Sequence, residues 1–335
     1  MKPSLAYYLV KTFTKKGDVM LDPFAGVGTI PFEGALNGVH TLGFDISPAA
    51  LSIAKAKLGN TTKGESAVCI QKLEKYIRSE RMGSVMMEQV KRFGFNKKLV
   101  DYFEPQTLQE IVAGREFFKV NPPVTASEHL VFASFLHILH GNRPYALSRR
   151  SHGITPFAPT GTFEYKDVIK HLRKKVERSF AVERPMDFVA GDMLYQDALS
   201  WWPRHIENLD AIITSPPFFD STLFYLANWL RLWFSGWDEE DFTKRPLGFV
   251  DEKQKSSFAI YEPLMRQARE RLKPDGVVVF HLGKSSKCDM AEKLTEVAKK
   301  WFRVADIFEE NVEDTESHGI RDKGTVVKHQ FLILN

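Results

Sequence analysis

The chain has 335 residues, of which 43% are hydrophobic and 26% are charged, and its formal net charge is +4. This length can bury a sizeable core and favours two domains, or one domain with a large insertion. The mild positive charge permits a polyanionic partner without requiring one. No apolar run approaches a membrane span, and the N-terminus lacks the core of a signal peptide. Cys69 and Cys288 form neither a disulfide framework nor a metal motif, so a reducing cytoplasm is expected.

The first sixty residues predict alternating helices and strands. An amphipathic helix that begins at Pro3 and Ser4 precedes the first short buried strand, and each strand is followed by a turn and another helix. This order is typical of a parallel sheet. The predicted strands are residues 18–21 and 41–44, and the predicted helices after them are residues 30–36 and 48–58.

The turn after the first strand has the composition of a ligand-binding loop. Gly26 and Gly28 lack Cβ atoms where a ligand must approach the backbone, and a helix N-terminus with free N–H groups follows them. Asp45, at the end of the second strand, is placed to accept hydrogen bonds from ribose hydroxyls. No phosphate-binding lysine follows the glycines, so a nucleoside ligand is favoured over a dinucleotide. The alternative is a tight turn with a structural aspartate.

Residues 59–185 break this alternation and predict a large, mainly helical insertion. A long basic loop at 143–157 alternates cations with aromatic rings, which suits contact with phosphates and bases. The basic helix at 165–178 has a plainer alternative as a solvated surface. Asn121-Pro122-Pro123 is interpreted as a linker that breaks a helix. The candidate nucleic-acid-binding residues of the insertion are Arg143, Tyr145, Arg149, Arg150, His152 and Lys174.

The alternating pattern resumes at about residue 186. Residues 188–190 predict a strand that ends at Gly191 and Asp192, and residues 210–213 predict a buried strand. The latter must end at Thr214-Ser215-Pro216-Pro217-Phe218, because prolines cannot donate to a ladder. That turn holds a hydroxyl, a carbonyl and an aromatic ring where open α/β sheets place their sites. Residues 277–280 predict another strand and residues 302–308 and 329–334 a closing antiparallel pair; Arg321 lies in the polar loop before the last strand.

The stretch Leu21-Asp-Pro-Phe-Ala-Gly-Val-Gly-Thr-Ile30 resembles the S-adenosylmethionine loop of class I methyltransferases that act on exocyclic amino groups of bases. The resemblance implies a Rossmann-like α/β fold, with a mostly parallel sheet, a closing antiparallel strand and a large, mainly helical insertion. It implies a catalytic domain of residues 1–58 and 186–335 and a target-recognition region of residues 59–185. The cofactor residues that it implies are Lys2, Pro3, Ser4, Asp22, Phe24, Ala25, Gly26, Gly28, Thr29, Asp45, Ile46, Asp192 and Thr214.

The turn at 214–218 resembles the Thr-Ser-Pro-Pro-aromatic turn of DNA cytosine-N4 methyltransferases, with Phe218 where tyrosine is usual. The resemblance implies that Ser215, Pro216, Pro217 and Phe218 are catalytic. An exocyclic amino nitrogen is a poor nucleophile, because its lone pair is delocalised into the ring. The Ser215 hydroxyl and a carbonyl near Pro216 can accept its N–H groups, and Phe218 can stack on the ring. No metal, nucleophilic cysteine or general-base histidine is expected to take part.

The resemblance predicts a site-specific DNA methyltransferase that acts on N4 of a cytosine flipped out of double-stranded DNA. The resemblance allows a cognate restriction endonuclease as a partner without requiring one, and the expected location is a prokaryotic-type cytoplasm, on the nucleoid, without membrane or metal. Two alternatives stay within methyl transfer: a tRNA guanine-N2 enzyme and a DNA adenine-N6 enzyme. A third alternative is a non-catalytic nucleic-acid-binding protein on a methyltransferase fold.

Overall fold

The computed structural model describes residues 1–79, 90, 92–95, 97–141, 144–150, 159–219, 224–311 and 326–335. The chain divides into two compact units. Unit 1 comprises Met1–Ala54, Arg184–Leu223 and Arg245–Asn335, and unit 2 comprises Lys55–Glu183 and Phe224–Lys244.

The secondary structure of the described residues confirms the predicted α/β pattern. The strands are β1 (Val19–Asp22), β2 (His40–Asp45), β3 (Asp192–Tyr195), β4 (Leu209–Thr214), β5 (Leu272–Ser285), β6 (Val304–Asn311) and β7 (Val326–Leu334). The helices are α1 (Pro3–Phe13), α2 (Thr29–Leu36), α3 (Pro48–Leu58), α4 (Lys63–Ser79), α5 (Pro105–Val120), α6 (Ala126–Ile138), α7 (Val168–Ser179), α8 (Phe224–Ala227), α9 (Trp229–Phe234), α10 (Asp241–Lys244), α11 (Val250–Lys253), α12 (Glu262–Arg271) and α13 (Met290–Ala298).

The seven strands of unit 1 form one sheet in the order β3-β2-β1-β4-β5-β7-β6. The neighbours from β3 to β5 are parallel, whereas β7 is antiparallel to both β5 and β6. This arrangement confirms the predicted fold class, a mostly parallel Rossmann-like sheet with a closing antiparallel strand. The strand order reverses direction between β1 and β4, which is where open α/β sheets bind their ligands.

Side chains of β4 alternate between two apolar cores, one on each face of the sheet. Ile213 belongs to a core that includes Leu9 of α1 and Ile30 of α2. Ile212 belongs to the other core, with Leu264 of α12 and Leu294 of α13. Because helices cover both faces, a ligand can reach the parallel sheet only at the strand ends, and open α/β sheets bind their ligands at the carboxyl ends.

Unit 2 is helical in its described residues and includes a segment that the sequence analysis assigned to the catalytic domain. The ring of Phe234 in α9 stacks on Phe135 of α6, with centroids 4.4 Å apart. The Arg115 Nε of α5 donates to the Trp233 carbonyl at 2.9 Å, within the same unit. The prediction that residues 224–244 belong with the sheet is therefore wrong, because their aromatic side chains complete the core of the helical unit. Asn121-Pro122-Pro123 lies between α5 and α6, where it ends a helix.

Within the ranges that the structure describes, no helix combines the length and the apolar character needed to cross a membrane.

Candidate active site

The carboxyl ends of β1, β2 and β4 bring the predicted site loops to one edge of the sheet. Asp22 ends β1, Asp45 ends β2 and Thr214 ends β4, and these three strands are consecutive parallel neighbours. Phe280 of β5 pairs with Thr214, so the residue after each of them also lies at this edge. The sequence prediction of one site built from these strand ends thus agrees with the sheet register.

A buried hydrogen bond joins the ends of β1 and β4. The Thr214 Oγ1 hydroxyl donates to Asp22 Oδ1 at 2.6 Å, and the Phe24 N–H donates to the same oxygen at 3.0 Å. Burial raises the pKa of the Asp22 carboxyl to about 7, although these hydrogen bonds oppose the shift. The Thr214 side chain is fully buried. The hydroxyl orients Asp22, and direct contact of Thr214 with the cofactor stays a prediction.

The Asp45 carboxylate organises the loop between β1 and α2. Its Oδ2 accepts from the Gly26 N–H at 2.9 Å, and its Oδ1 accepts from the Ser47 N–H at 2.7 Å. Removal from water raises the Asp45 pKa to about 6, against the effect of these N–H groups. Each carboxylate oxygen retains a lone pair, so Asp45 can still accept hydrogen bonds from ribose hydroxyls.

The two loop glycines serve different purposes. Gly26 has a φ of +54° and Gly28 a φ of +71°, in the left-handed region that favours glycine. A Cβ on Gly26 would meet no atom within 4 Å, whereas a Cβ on Gly28 would lie 2.7 Å from the Ala54 Cβ. Gly26 therefore borders open space that suits a ligand. Gly28 is required by close packing of the loop on α3, and contact of its backbone with a cofactor stays a prediction.

The other predicted loop residues surround Gly26. The Ala25 side chain is buried and its N–H donates to the Phe44 carbonyl, so it anchors the loop on β2. Phe24 packs edge-on against Tyr261, with centroids 6.2 Å apart. Thr29 begins α2, and Ile46 lies between Asp45 and Ser47. Both are half-buried at the sheet edge, where contact with a cofactor stays a prediction.

The start of α1 lies near this edge. Lys2 precedes the helix, and Pro3 and Ser4 form its first two positions with exposed side chains. Ala6 of α1 belongs to the same core as Ile213 of β4 and Val279 of β5. The first turns of α1 therefore pack on the sheet near the end of β4, and contact of Lys2, Pro3 and Ser4 with a cofactor stays a prediction.

The sequence predicts that Asp192 follows a strand, but in the structure Asp192 begins one. It opens β3 opposite Leu42, and Tyr195 is the residue opposite Asp45. Three residues of a strand span about 10 Å, so Asp192 lies that far from the site edge. The acid at the carboxyl end of β3 is Asp197, whose Oδ1 accepts from the Leu199 N–H at 2.9 Å. The predicted place of Asp192 at the end of a strand is therefore wrong, whereas its contact with a cofactor stays a prediction; Asp197 is a second candidate for that contact.

The proline turn after β4 is held in one conformation. Pro216 is buried, and the Pro217 carbonyl accepts from Gln254 Nε2 at 3.1 Å. The Gln254 Oε1 accepts in turn from the buried Tyr261 hydroxyl at 3.0 Å. Sequence reasoning missed this glutamine, because nothing in its surroundings marks it as a partner of the turn. The contact orients the turn before any ligand arrives.

Phe218 lies over a glycine of β5. A Cβ on Gly283 would lie 2.8 Å from Phe218 Cδ2, so only glycine leaves room for the ring. The ring also meets His281 edge-on, with centroids 5.2 Å apart. Phe218 is half-buried and is thus fixed on one side.

Two histidines that the sequence analysis did not assign to the site, His281 and His329, form a chain of contacts with Ser215. The Ser215 Oγ is 3.0 Å from His281 Nδ1, and the His281 Nε2 is 3.1 Å from His329 Nδ1. Burial, with His329 as the next cause, lowers the His281 pKa to about 3. Only a general-base histidine was excluded from the sequence, and neither His281 nor His329 was assigned to the site. A usable signal was present: His281 follows the apolar run 277–280, as Ser215 follows the neighbouring strand.

The predicted nucleic-acid residues of unit 2 fall into two groups where the structure describes them. Arg149 donates to the Asp101 carbonyl at 3.1 Å and lies 4.2 Å over the Phe163 ring. The Tyr145 hydroxyl is 2.9 Å from His137 Nε2. Both side chains therefore stabilise the unit, whereas Arg150 and Lys174 are exposed. Arg143, His152 and Arg321 lie outside the described residues.

Comparison with known proteins shows similarity to methyltransferases. Residues 2–56 match the model of a DNA methylase family, N6_N4_Mtase. The type II methyltransferase M.MjaII of Methanocaldococcus jannaschii is 33% identical over 94 residues, which cover 28% of this chain and 15% of that protein. The type II methyltransferase M.MthZI of Methanothermobacter thermautotrophicus is 26% identical over 125 residues, which cover 35% of each chain.

Among solved structures, a TehB-like SAM-dependent methyltransferase from Corynebacterium glutamicum aligns over 98% of this chain and 86% of its own, with a TM-score of 0.38 and 10% identity.

The family match covers β1, β2 and the loop between them, where the sequence predicted the cofactor site. It confirms the resemblance to class I amino-methyltransferases and S-adenosylmethionine as their cofactor. The chain spans 15% and 35% of the lengths of the two relatives.

Proposed function

We propose that this chain is a DNA methyltransferase that transfers a methyl group from S-adenosylmethionine to N4 of cytosine, and that unit 2 contacts the DNA. The observation that carries the proposal is the Ser215-Pro-Pro-Phe218 turn at the end of β4, next to the loop that follows β1. The match to a DNA methylase family supports methyl transfer to DNA, and the names of both relatives, which are type II methyltransferases, support methyl transfer.

The residues of unit 1 suit a positively charged nucleoside cofactor. When bound, S-adenosylmethionine supplies an electrophilic methyl group. Asp45 would accept from the ribose hydroxyls, and the open space beside Gly26 would admit the nucleoside. Asp197 would accept from the adenine amino group, and the start of α1 would cover the methionine part. Asp22, held by Thr214, would orient the loop.

The turn after β4 suits an exocyclic amino group. The Ser215 hydroxyl and the Pro216 carbonyl would accept its two N–H groups, because the Pro217 carbonyl already accepts from Gln254. These hydrogen bonds would increase electron density on the nitrogen that attacks the methyl carbon. A base stacked on Phe218 would gain about 1–3 kcal/mol, which helps to offset the cost of flipping it from the duplex.

Serine at position 215 is the feature that favours cytosine, since it resembles the turn of cytosine-N4 enzymes. The proposal is tested by incubating the chain with labelled S-adenosylmethionine and either unmethylated plasmid DNA or tRNA, followed by digestion to nucleosides. We expect label in N4-methyldeoxycytidine. Label in N6-methyldeoxyadenosine or N2-methylguanosine would assign the alternative enzymes, and DNA binding without label would assign a binding protein.

Replacement of Ser215 tests its proposed role. We expect Ser215→Ala to lower the turnover by about 10- to 100-fold, because the amino group loses an acceptor, while the cofactor Kd stays unchanged. Ser200→Ala, which removes an exposed hydroxyl from the same unit, is the control and is expected to keep full turnover. Equal turnover of Ser215→Ala and wild type would remove Ser215 from the mechanism.

A cognate restriction endonuclease is a further part of the proposal. It predicts that plasmid DNA methylated by this chain resists one site-specific endonuclease that cuts the unmethylated plasmid. Endonucleases whose recognition sites include the methylated sequence provide the test. If they cut methylated and unmethylated plasmid at equal rates, this part of the proposal would be contradicted.

A further inference from the structure

We infer that His281 is a positioning residue that fixes the Ser215 hydroxyl as a hydrogen-bond acceptor, so that the turn selects an amino group on the target base. This inference rests on the proposed function. His281 would not touch the base itself and would act through Ser215.

The geometry fixes the His281 ring on several sides. Its Nδ1 lies 3.0 Å from Ser215 Oγ and its Nε2 lies 3.1 Å from His329 Nδ1. The Phe331 ring packs beside it at 5.2 Å between centroids, and the Phe218 ring meets it edge-on at 5.2 Å. Because both ring nitrogens have partners and the ring is packed, His281 holds a single orientation toward Ser215.

The charge state of His281 follows from its surroundings. Its side chain is 4% exposed, and burial lowers its pKa to about 3, with a further lowering by His329. The ring is therefore neutral at pH 7, which leaves one nitrogen as donor and the other as acceptor. The direction of the hydrogen bond to Ser215 then depends on the tautomer.

Two arrangements satisfy the distances. In the one that we assign, the Ser215 hydroxyl donates to His281 Nδ1, and the His281 Nε2–H donates to His329 Nδ1. In the reverse arrangement, Nδ1–H donates to Ser215 Oγ, and the hydroxyl proton points elsewhere. Only the first leaves both lone pairs of the oxygen available and no proton directed at the base.

This arrangement has a consequence for specificity. The amino groups of cytosine and adenine offer N–H donors, which match an oxygen that can only accept. The carbonyl oxygens O4 of thymine and O6 of guanine are acceptors, so two acceptors would face each other without a proton between them. An unmade buried hydrogen bond is costly, and the turn would therefore reject a base that presents a carbonyl oxygen in place of an amino group.

Substitutions in two backgrounds test the role. His281→Phe keeps a ring among Phe218 and Phe331, and we expect it to lower methyl transfer to unmethylated plasmid DNA by about 10-fold, with the cofactor Kd unchanged. His281→Asn places an amide near the position of Nδ1 and should restore turnover to within about 3-fold of wild type. In a Ser215→Ala background, His281→Phe should change turnover by less than about 2-fold.

A second measurement does not depend on activity. Nitrogen-15 NMR of histidine-labelled protein, assigned by the signals lost in His281→Asn, should show the proton of His281 on Nε2. A proton on Nδ1, or an equal loss for His281→Phe in both backgrounds, would overturn the inference. If the wild-type protein methylated no base, the proposed function would fail. The tautomer of His281 would still show which of the two residues, Ser215 or His281, donates the hydrogen bond between them.

Discussion

At the Asp22 carboxyl, burial raises the pKa and hydrogen bonding lowers it, and the effect of burial is the larger. The side chain is 2% exposed, and its hydrogen bonds with Thr214 and the Phe24 N–H do not compensate for the loss of water. Nearby Asp45 raises the pKa further. The result is a carboxyl with a pKa of about 7, against 3.8 for an ordinary aspartate. Unfolding therefore changes its proton affinity.

This shift predicts how stability depends on pH. Between the unfolded pKa of 3.8 and the folded pKa of about 7, the folded chain binds the proton more tightly. The stability from this group is fully present below about pH 4 and is lost as the pH rises to about 7. Asp22→Asn keeps an oxygen acceptor for Thr214 but does not titrate. Urea unfolding should show that the free energy of unfolding of wild type, relative to Asp22→Asn, falls across this window by up to about 1.4 kcal/mol per pH unit. A constant difference between the two proteins would contradict this prediction.

At the scale of elements, the loop between β1 and α2 contains two glycines with different constraints, and they form a matched pair. Gly28→Ala places a Cβ 2.7 Å from the Ala54 Cβ at a φ of +71°. Overpacking and the left-handed backbone should together lower the free energy of unfolding by about 2–4 kcal/mol. Gly26→Ala meets open space and should cost about 1 kcal/mol, for its backbone alone.

The affinity for the cofactor should also distinguish these two variants, and here Gly26→Ala should be the more strongly affected. Because the added methyl group of Gly26→Ala occupies the space that we assign to the nucleoside, calorimetry should show a weaker affinity for S-adenosylmethionine. Gly28→Ala, measured well below its melting temperature, should bind with near wild-type affinity. An equal affinity of Gly26→Ala and wild type would place the nucleoside elsewhere.

The elements also show what the sequence could predict and why. The ends of β1, β2 and β4 were predicted because Asp, Gly and Pro follow short apolar runs, and these residues cannot continue a buried strand. The start of β3 was not predicted, because the apolar residues 188–190 just before it offer a competing run and only Met193 of this edge strand is buried. His281 was missed although it follows an apolar run, because its contact with Ser215 joins positions 66 residues apart and depends on the pairing of β4 with β5.

At the scale of the whole molecule, composition could not assign the aromatic segment at 224–244 to a unit. Its tryptophans and phenylalanines suit any core, and the choice depends on which partners have complementary surfaces. Trp229, for example, meets Tyr102 of the same unit at 5.3 Å between centroids. The predicted alternation of helices and strands, by contrast, depends on local patterns, and the sheet of unit 1 confirms it.

The cations of α7 show which charges of unit 2 are available to DNA. Arg173 pairs with Glu74 at 2.6 Å, and Arg178 lies 5.3 Å over the Tyr145 ring. Lys170 and Lys174 are exposed and lie one turn apart, opposite the buried side of the helix. We therefore expect these two lysines to contact phosphates in the proposed complex.

The salt dependence of DNA binding tests this expectation. Each lysine that neutralises a phosphate releases counterions, so Lys170→Gln and Lys174→Gln should each reduce the slope of log K against log salt by about 1. The loss should be uniform across DNA sequences, because phosphate contacts carry no sequence information. Lys299→Gln in unit 1, where Lys299 pairs with Glu296 at 2.6 Å, is the control and should leave the slope unchanged. A slope that is equal in all three variants and wild type would show that α7 does not face the DNA backbone.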